Sequence, residues 1–218
     1  MQLEKVVIWG ATGQALVVED ILRLRDECEI VGYLDNLNPH RKGDDFGGAT
    51  VLGGEEALDG LLQSGVTHMI LAFANGPAKL KLAQAIKARG FTLINAIHPS
   101  ACIARTAAIG AGTVIRAQVA VGPQTRIGEN CLLGYGATIS HDCTIGDGVH
   151  IGSGANIAGG TRIGRNAWVA MGVNVIDRRI VGKNTTVGAG SLVLENLPDN
   201  VIAYGSPAKT VRNVEEKP

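Results

Sequence analysis

From Ile97 to Val193 every sixth residue is isoleucine, leucine or valine, without a miss. The window holds 25 such residues and 17 of them share one phase, against about one in six by chance, so the period is a real constraint. Six fits neither the 3.6-residue period of a helix nor the two-residue period of an ordinary strand. It is the period of a hexapeptide β-helix, in which each repeat forms one flat side of a coil.

The other positions of the repeat agree. The residue after the aliphatic is often glycine (Gly110, Gly122, Gly128, Gly134, Gly146, Gly152, Gly164, Gly182, Gly188), which suits a tight corner. Four residues after each aliphatic as far as Val187 stands a small or β-branched residue, as at Thr113, Val119, Cys131, Ala137, Cys143 and Ala155, with Arg179 the one break. Each turn therefore points one large and one small side chain inward. Three sides close a triangular coil, and about five coils stack so that each covers the apolar face of the next.

Residues 1–96 follow another grammar. Val6–Trp9 reads as an apolar strand that runs into Gly10-Ala11-Thr12-Gly13-Gln14, followed by a helix from Ala15 to Arg25 and a second strand, Ile30–Leu34, ending at Asp35-Asn36. Residues 37–50 read as loop. A short helix over Glu55–Ser64, a strand over Met69–Phe73, a helix over Lys79–Arg89 capped by Gly90, and a strand over Phe91–Asn95 complete a small, Rossmann-like parallel α/β domain. Its ligand site belongs at the C-terminal ends of the strands. Backbone amides at Gly10 and Gly13 can hold a phosphate there, and an acid such as Asp35 after the second strand suits a ribose. The expected division is therefore 1–96, a nucleotide-binding α/β domain, and 97–218, an all-β parallel β-helix.

Lys+Arg and Asp+Glu each number 20, so no basic excess exists to hold nucleic acid or a membrane surface. No apolar run reaches membrane-spanning length. Four cysteines lack CxxC spacing, and Cys131 and Cys143 occupy the small inward slot, so they read as buried thiols in a reducing cytoplasm.

The pattern [Ile/Leu/Val]-Gly-x-x-[small]-x resembles the hexapeptide acyltransferases, whose coils wind left-handed. The run Gly136-Ala137-Thr138-Ile139-Ser140-His141-Asp142-Cys143 is similar to the active-site stretch of the nucleotide-sugar acetyltransferases, relatives of the sialic acid O-acetyltransferases. Asn95–Ala101 and Tyr204-Gly205-Ser206-Pro207-Ala208-Lys209 resemble the family's junction and closing motif. This resemblance implies an acetyl-CoA-dependent N-acetyltransferase acting on the 4-amino group of a nucleotide-linked amino-dideoxy sugar. His141 would be general base and Asp142 its orienting acid. His150, Gly159, Met171, Gly172, Gly188 and Ala189 would contact acetyl-CoA, with the Gly159 amide near the thioester. Gly10, Gly13, Gln14, Asp35 and Asn36 would contact the nucleotide sugar. The assembly would be a homotrimer with sites between subunits, with outward Val114, Leu132 and Leu192 in the interface, and no metal is expected. The chemistry is coherent, because imidazole can take a proton from an attacking amine near neutral pH.

Three positions depart from the family pattern. Gln14 replaces a usual histidine, and Gly134 and Ser140 stand where asparagine and an acid are frequent. Sugar O-acetylation is the alternative reading, and a non-catalytic β-helix scaffold is a weaker one. A γ-class carbonic anhydrase needs three histidines around zinc, and His98, His141 and His150 have the wrong spacing. A serine acetyltransferase would carry a helical N-terminal half.

Overall fold

The computed structural model describes residues 3–214. The chain forms two compact units, divided between Pro99 and Ser100.

The first unit is an α/β sandwich built on β1 (Glu4–Trp9), α1 (Gly13–Arg25), β2 (Cys28–Leu34), β3 (Asp45–Phe46), β4 (Ala49–Gly53), α2 (Leu58–Gln63), β5 (His68–Leu71), α3 (Gly76–Ala88) and β6 (Thr92–Leu93). The sheet order is β3-β4-β2-β1-β5-β6. All pairs are parallel except the β3–β4 hairpin. The central β1 explains itself: Val6, Val7 and Ile8 are fully buried, as a strand covered on both faces requires. The chain leaves β1 toward β2 and later returns on its other side as β5. That reversal opens a crevice at the carboxyl ends of β1 and β5.

Two sequence expectations need correction here. The 37–50 stretch is not loop throughout, because it contains β3 and the first half of the β3–β4 hairpin. Gly43, Gly47 and Gly48 sit at positive φ, so the glycines that suggested a loop instead make tight turns. The hairpin is fixed by a buried cluster. Tyr33 donates to Glu19 at 2.5 Å, Arg23 pairs with Glu19 at 2.7 Å, and Phe46 packs edge-on against Tyr33 with centroids 5.0 Å apart. Burial, then the Glu19 hydrogen bond, pushes the Tyr33 phenol well above its usual range.

The second correction concerns α3, which begins at Gly76 rather than Lys79. Asn75 caps it by accepting from the Ala78 N–H at 3.1 Å, and proline fits the first turn. At the other end Gly90 donates to Lys87 O and Phe91 to Ile86 O, a Schellman closure.

The second unit is a left-handed parallel β-helix whose two-residue strands pair in register with residues 18 further on: Val114 with Leu132, Leu132 with His150, His150 with Trp168. Three sides result. Side A carries Val114, Leu132, His150, Trp168 and Thr186; side B carries Cys102, Ala120, Thr138, Asn156, Asn174 and Leu192; side C carries Ala108, Arg126, Thr144, Arg162 and Ile180. The in-phase aliphatics from Ile115 to Val193 are all buried, and the small slot is filled by Thr113, Val119, Cys131, Ala137, Cys143, Val149, Ala155, Ala167 and Val173, also buried. Arg179, in that slot, is only half-buried and its Nε donates to Asp177 O. An antiparallel pair, Val201–Gly205 with Ala208–Asn213, closes the stack.

Val114 and Leu132 are 0% and 3% exposed within one chain. Their apolar surface is already covered, so they are withdrawn as subunit-interface residues; Leu192 remains half-exposed.

The C-to-A corner carries an asparagine ladder. Asn166 donates to Asn184 at 3.4 Å and Asn184 to Asn200 at 2.8 Å, all three at positive φ. Asn184→Ala removes both ladder hydrogen bonds of this side chain and places alanine in left-handed backbone. A loss of about 2 kcal/mol is expected, and Asn184→Gly should lose about half as much. Urea unfolding midpoints of the two variants check this; equal losses would contradict it.

Candidate active site

Two regions carry chemistry, one in each unit. In the first, the crevice at β1 and β5 holds about 380 Å³ and is lined by Trp9, Gly10, Ala11, Thr12, Leu34, Asp35, Asn36, Leu37, Phe73, Asn75, Ala78 and Leu82. Gly10 has φ +122, and a Cβ there would lie 3.0 Å from Ala72 O, so glycine is required. Gly10, Asp35 and Asn36 thus stand where the sequence placed them. Gly13 and Gln14 do not line the crevice; they begin α1, and nothing lies within 4 Å of a Cβ on Gly13.

Asp35 is 5% exposed and already engaged. Its Oδ1 accepts from the N–H groups of Leu37 (2.9 Å) and Asn38 (3.2 Å), and its Oδ2 from Asn38 Nδ2 (3.0 Å). Asn36 Oδ1 accepts from Glu55 N at 2.7 Å. These carboxylate and amide groups first shape the crevice wall. The sequence reading missed Arg41. Its guanidinium donates to Ala11 O at 2.5 Å and stands 3.6 Å from Asp35, tying the first turn to the second. It lies in the stretch read as featureless loop. The α3 amino terminus, with Asn75 and Ala78, was missed as well.

In the second unit, Ser140, His141 and Asp142 turn the corner from side B to side C. Asp142 has φ +56, a conformation that aspartate tolerates better than most residues. The turn brings its Oδ2 to 2.7 Å from His141 Nδ1. Against a carboxylate acceptor Nδ1 is the nitrogen suited to donate, which leaves Nε2 as the one to exchange a proton. Both side chains are more than half exposed. One coil on, Gly159 lies against the imidazole: a Cβ there would fall 2.7 Å from His141 Cε1 and Nε2. Gly160 N–H holds His141 O at 2.9 Å.

The Gly159 N–H, expected to face a thioester, has a partner in the structure. It donates to Asp177 Oδ1 at 3.1 Å. His141, Gly159 and Asp177 form a ridge, one per coil. On its side-B flank is a cleft of about 350 Å³ holding Thr138, Ser140, Asn156, Asn174 and Asp177. There Thr138 donates to Asn156 at 2.8 Å and Asn156 to Asn174 at 2.9 Å. On the side-C flank is a cleft of about 400 Å³ containing Asp142, Thr144, Gly160, Arg162, Arg178 and Ile180. Asp177, Arg162 and Arg178 carried no signal in the repeat, because outward positions follow no period.

Met171, Gly172, Gly188 and Ala189 stack on the A-to-B corner, joined by the Gly190 N–H to Met171 O bond at 2.9 Å. Met171 is 65% exposed. Gly172 and Gly190 have positive φ, and nothing crowds Gly190. This bare edge is one full coil side from the His141 corner. His150 is on side A, its ring stacked on Trp168 at 5.7 Å. A single chain therefore does not bring His150, Met171 or Ala189 to His141.

Cys143 follows Asp142. It is buried, its Sγ donates to Ala158 O at 3.3 Å, and burial pushes the thiol above its usual range. A protonated, enclosed thiol is inert. Among the described residues no group of three or more His, Cys, Asp and Glu side chains is placed to hold a metal, and no helix is long and apolar enough to cross a membrane.

Comparisons with known proteins agree with this two-part architecture. Residues 5–86 match the PglD N-terminal domain, residues 124–159 the bacterial transferase hexapeptide, and residues 143–177 the hexapeptide repeat of succinyl-transferase. PerB from Caulobacter crescentus, solved with CoA and GDP-perosamine, is 35% identical, with 95% of this chain and 97% of that one covered and a TM-score of 0.90. The chain belongs to the hexapeptide-repeat sugar acetyltransferases. A histidine-to-alanine variant of the Caulobacter GDP-perosamine N-acetyltransferase, also with CoA and GDP-perosamine, reaches a TM-score of 0.91 at 34% identity over 96% of this chain and 97% of that one. The acetyltransferase domain of PglB from Neisseria gonorrhoeae is 28% identical over 95% of this chain and all of that one, with a TM-score of 0.89. Among curated relatives, galactoside O-acetyltransferase from Lactococcus lactis is 43% identical over 51 residues, 23% of this chain and 25% of that protein. The match thus spans about a quarter of that relative.

Proposed function

We propose that this family member transfers an acetyl group from acetyl-CoA to the 4-amino group of a nucleotide-linked amino-dideoxy sugar. The observation that carries the reading is the exposed His141–Asp142 pair at 2.7 Å, with Nε2 free to take a proton from an attacking amine. Asp142 stabilises the imidazolium that forms and fixes the tautomer. The likeness to enzymes solved with CoA and GDP-perosamine supports both co-substrates.

The residues fit these ligands. The crevice of the first unit has the apolar walls and two helix amino termini that a nucleotide needs, with Gly10, Asp35, Asn36 and Asn75 at its edge. The A-to-B edge at Met171, Gly172, Gly188 and Ala189, open at Gly190, is suited to an extended thioester arm. That edge and His150 are remote from His141 in one chain, so a neighbouring copy must supply them. This favours a homotrimer with active sites between subunits. The Gly159 amide serves the thioester carbonyl only after Asp177 releases it. All four cysteines are free, in keeping with a reducing cytoplasm.

Free-thiol release from acetyl-CoA, measured with UDP-, GDP- and dTDP-linked 4-amino sugars, tests the proposal. Turnover with one of these amines is the expected result. The local match to a galactoside O-acetyltransferase and the departure at Ser140 make hydroxyl acceptors the control arm. Turnover confined to that arm would overturn the amine acceptor. No turnover in a protein that also fails to bind acetyl-CoA would leave only a scaffold.

A further inference from the structure

The side-C flank of the ridge contains two arginines that the proposed chemistry does not use. Arg162 projects outward from its strand, in register with Thr144 below and Ile180 above. Arg178 turns the corner one coil beyond Gly160. Neither guanidinium has a hydrogen bond or ion pair among the described residues. The one acid of the cleft, Asp142, is already bonded to His141. Arg126 stands on the same side two coils before Arg162.

Arg178 stands out for its backbone as well. It has φ +57, in a corner column whose other members at positive φ are Gln124, Asp142 and Gly160. Left-handed backbone favours glycine, asparagine and aspartate. Among the non-glycine residues of the described chain at positive φ, Arg178 is the one cation. Its stem lies on Gly160, where a Cβ would come within 3.2 Å of Arg178 Cγ. An unfavourable backbone position, held by a side chain with no partner among the described residues, points outward to a ligand.

We propose that Arg162 and Arg178 form an anion site for a diphosphate beside the His141–Asp142 corner. The guanidinium fork matches phosphate oxygens bidentately, and the cleft of about 400 Å³ is open to solvent on the flank next to the base. This inference rests on the acetyl-transfer reading, because both co-substrates of that reaction carry a diphosphate. The site therefore orients either the nucleotide sugar or CoA on the side-C flank of the ridge.

Calorimetric binding of CoA and of GDP, UDP and dTDP to the wild type, Arg162→Gln and Arg178→Gly tests the site. Glycine suits the backbone at 178, so Arg178→Gly should melt no lower than the wild type while it loses affinity. Weakening of about tenfold or more in both variants is expected for one ligand class, with steeper salt dependence in the wild type. Loss confined to CoA assigns the site to the acyl donor, and loss confined to the nucleoside diphosphate assigns it to the acceptor. Unchanged affinity for both would overturn the site and leave the acetyl-transfer reading standing. A wild type that binds neither ligand would overturn both.

Discussion

His141→Gln should keep the fold and lower kcat by between about a hundredfold and ten-thousandfold, the range that a positioned general base contributes. The side chain is 60% exposed and fills no core position, so an unfolding midpoint close to that of the wild type is expected. Glutamine retains polarity and approximate size but has no group to take the proton. KM for the acceptor should change far less than kcat, because the lost interaction belongs to the transition state. Asp142→Asn is the companion variant. It leaves an acceptor beside Nδ1 but removes the charge that supports imidazolium, so a smaller loss is expected. A His141→Gln enzyme with near-wild-type kcat would remove the base from this corner.

Gly159→Ala should be the most damaging single-methyl change at the site. The added Cβ would lie 2.7 Å from Cε1 and Nε2 of His141, well inside van der Waals contact. The imidazole must turn away, and the 2.7 Å bond to Asp142 must stretch or break. A displacement of about 1 Å at a reacting group costs on the order of a hundredfold in rate, and that loss in kcat is expected here. Gly159 does not have positive φ, so the backbone itself accepts alanine and stability should fall only slightly. Comparing kcat with the thermal midpoint separates the two effects. An alanine variant with unchanged kcat would mean that the ring does not need its position over Gly159.

The coil was legible in the sequence because its core follows a strict rule. Ile139, Ile145 and Ile151 point inward by period alone, and Ala137, Cys143 and Val149 fill the complementary slot. The outward residues follow no such rule, so Asp177, Arg162 and Arg178 became visible only once 18-residue stacking placed them beside His141. The engagement of the Gly159 N–H by Asp177 was equally hidden, since it joins residues 18 apart through one side chain.

In the first unit the apolar run Val6–Trp9 announced its strand. The β3–β4 hairpin did not, because its stability lies in Tyr33, Glu19 and Phe46 brought together from distant positions. The helix read from Lys79 in fact starts at Gly76, with proline in its first turn and Asn75 as its cap. The pair at His141 and Asp142 was found by resemblance, and its 2.7 Å geometry gives that resemblance a physical basis. Asp35 stands at the end of the second strand as read, but its hydrogen bonds from Leu37 and Asn38 and its ion pair with Arg41 show a residue that shapes the crevice as well as lines it.

The most direct test of the account is the product that the wild-type enzyme makes from acetyl-CoA and a nucleotide-linked 4-amino sugar, followed by mass spectrometry and proton NMR. The account predicts one acetyl group per thiol released, joined to the 4-nitrogen as an amide that survives mild alkali. An alkali-labile acetyl ester, or thiol release without an acetylated sugar, would contradict it.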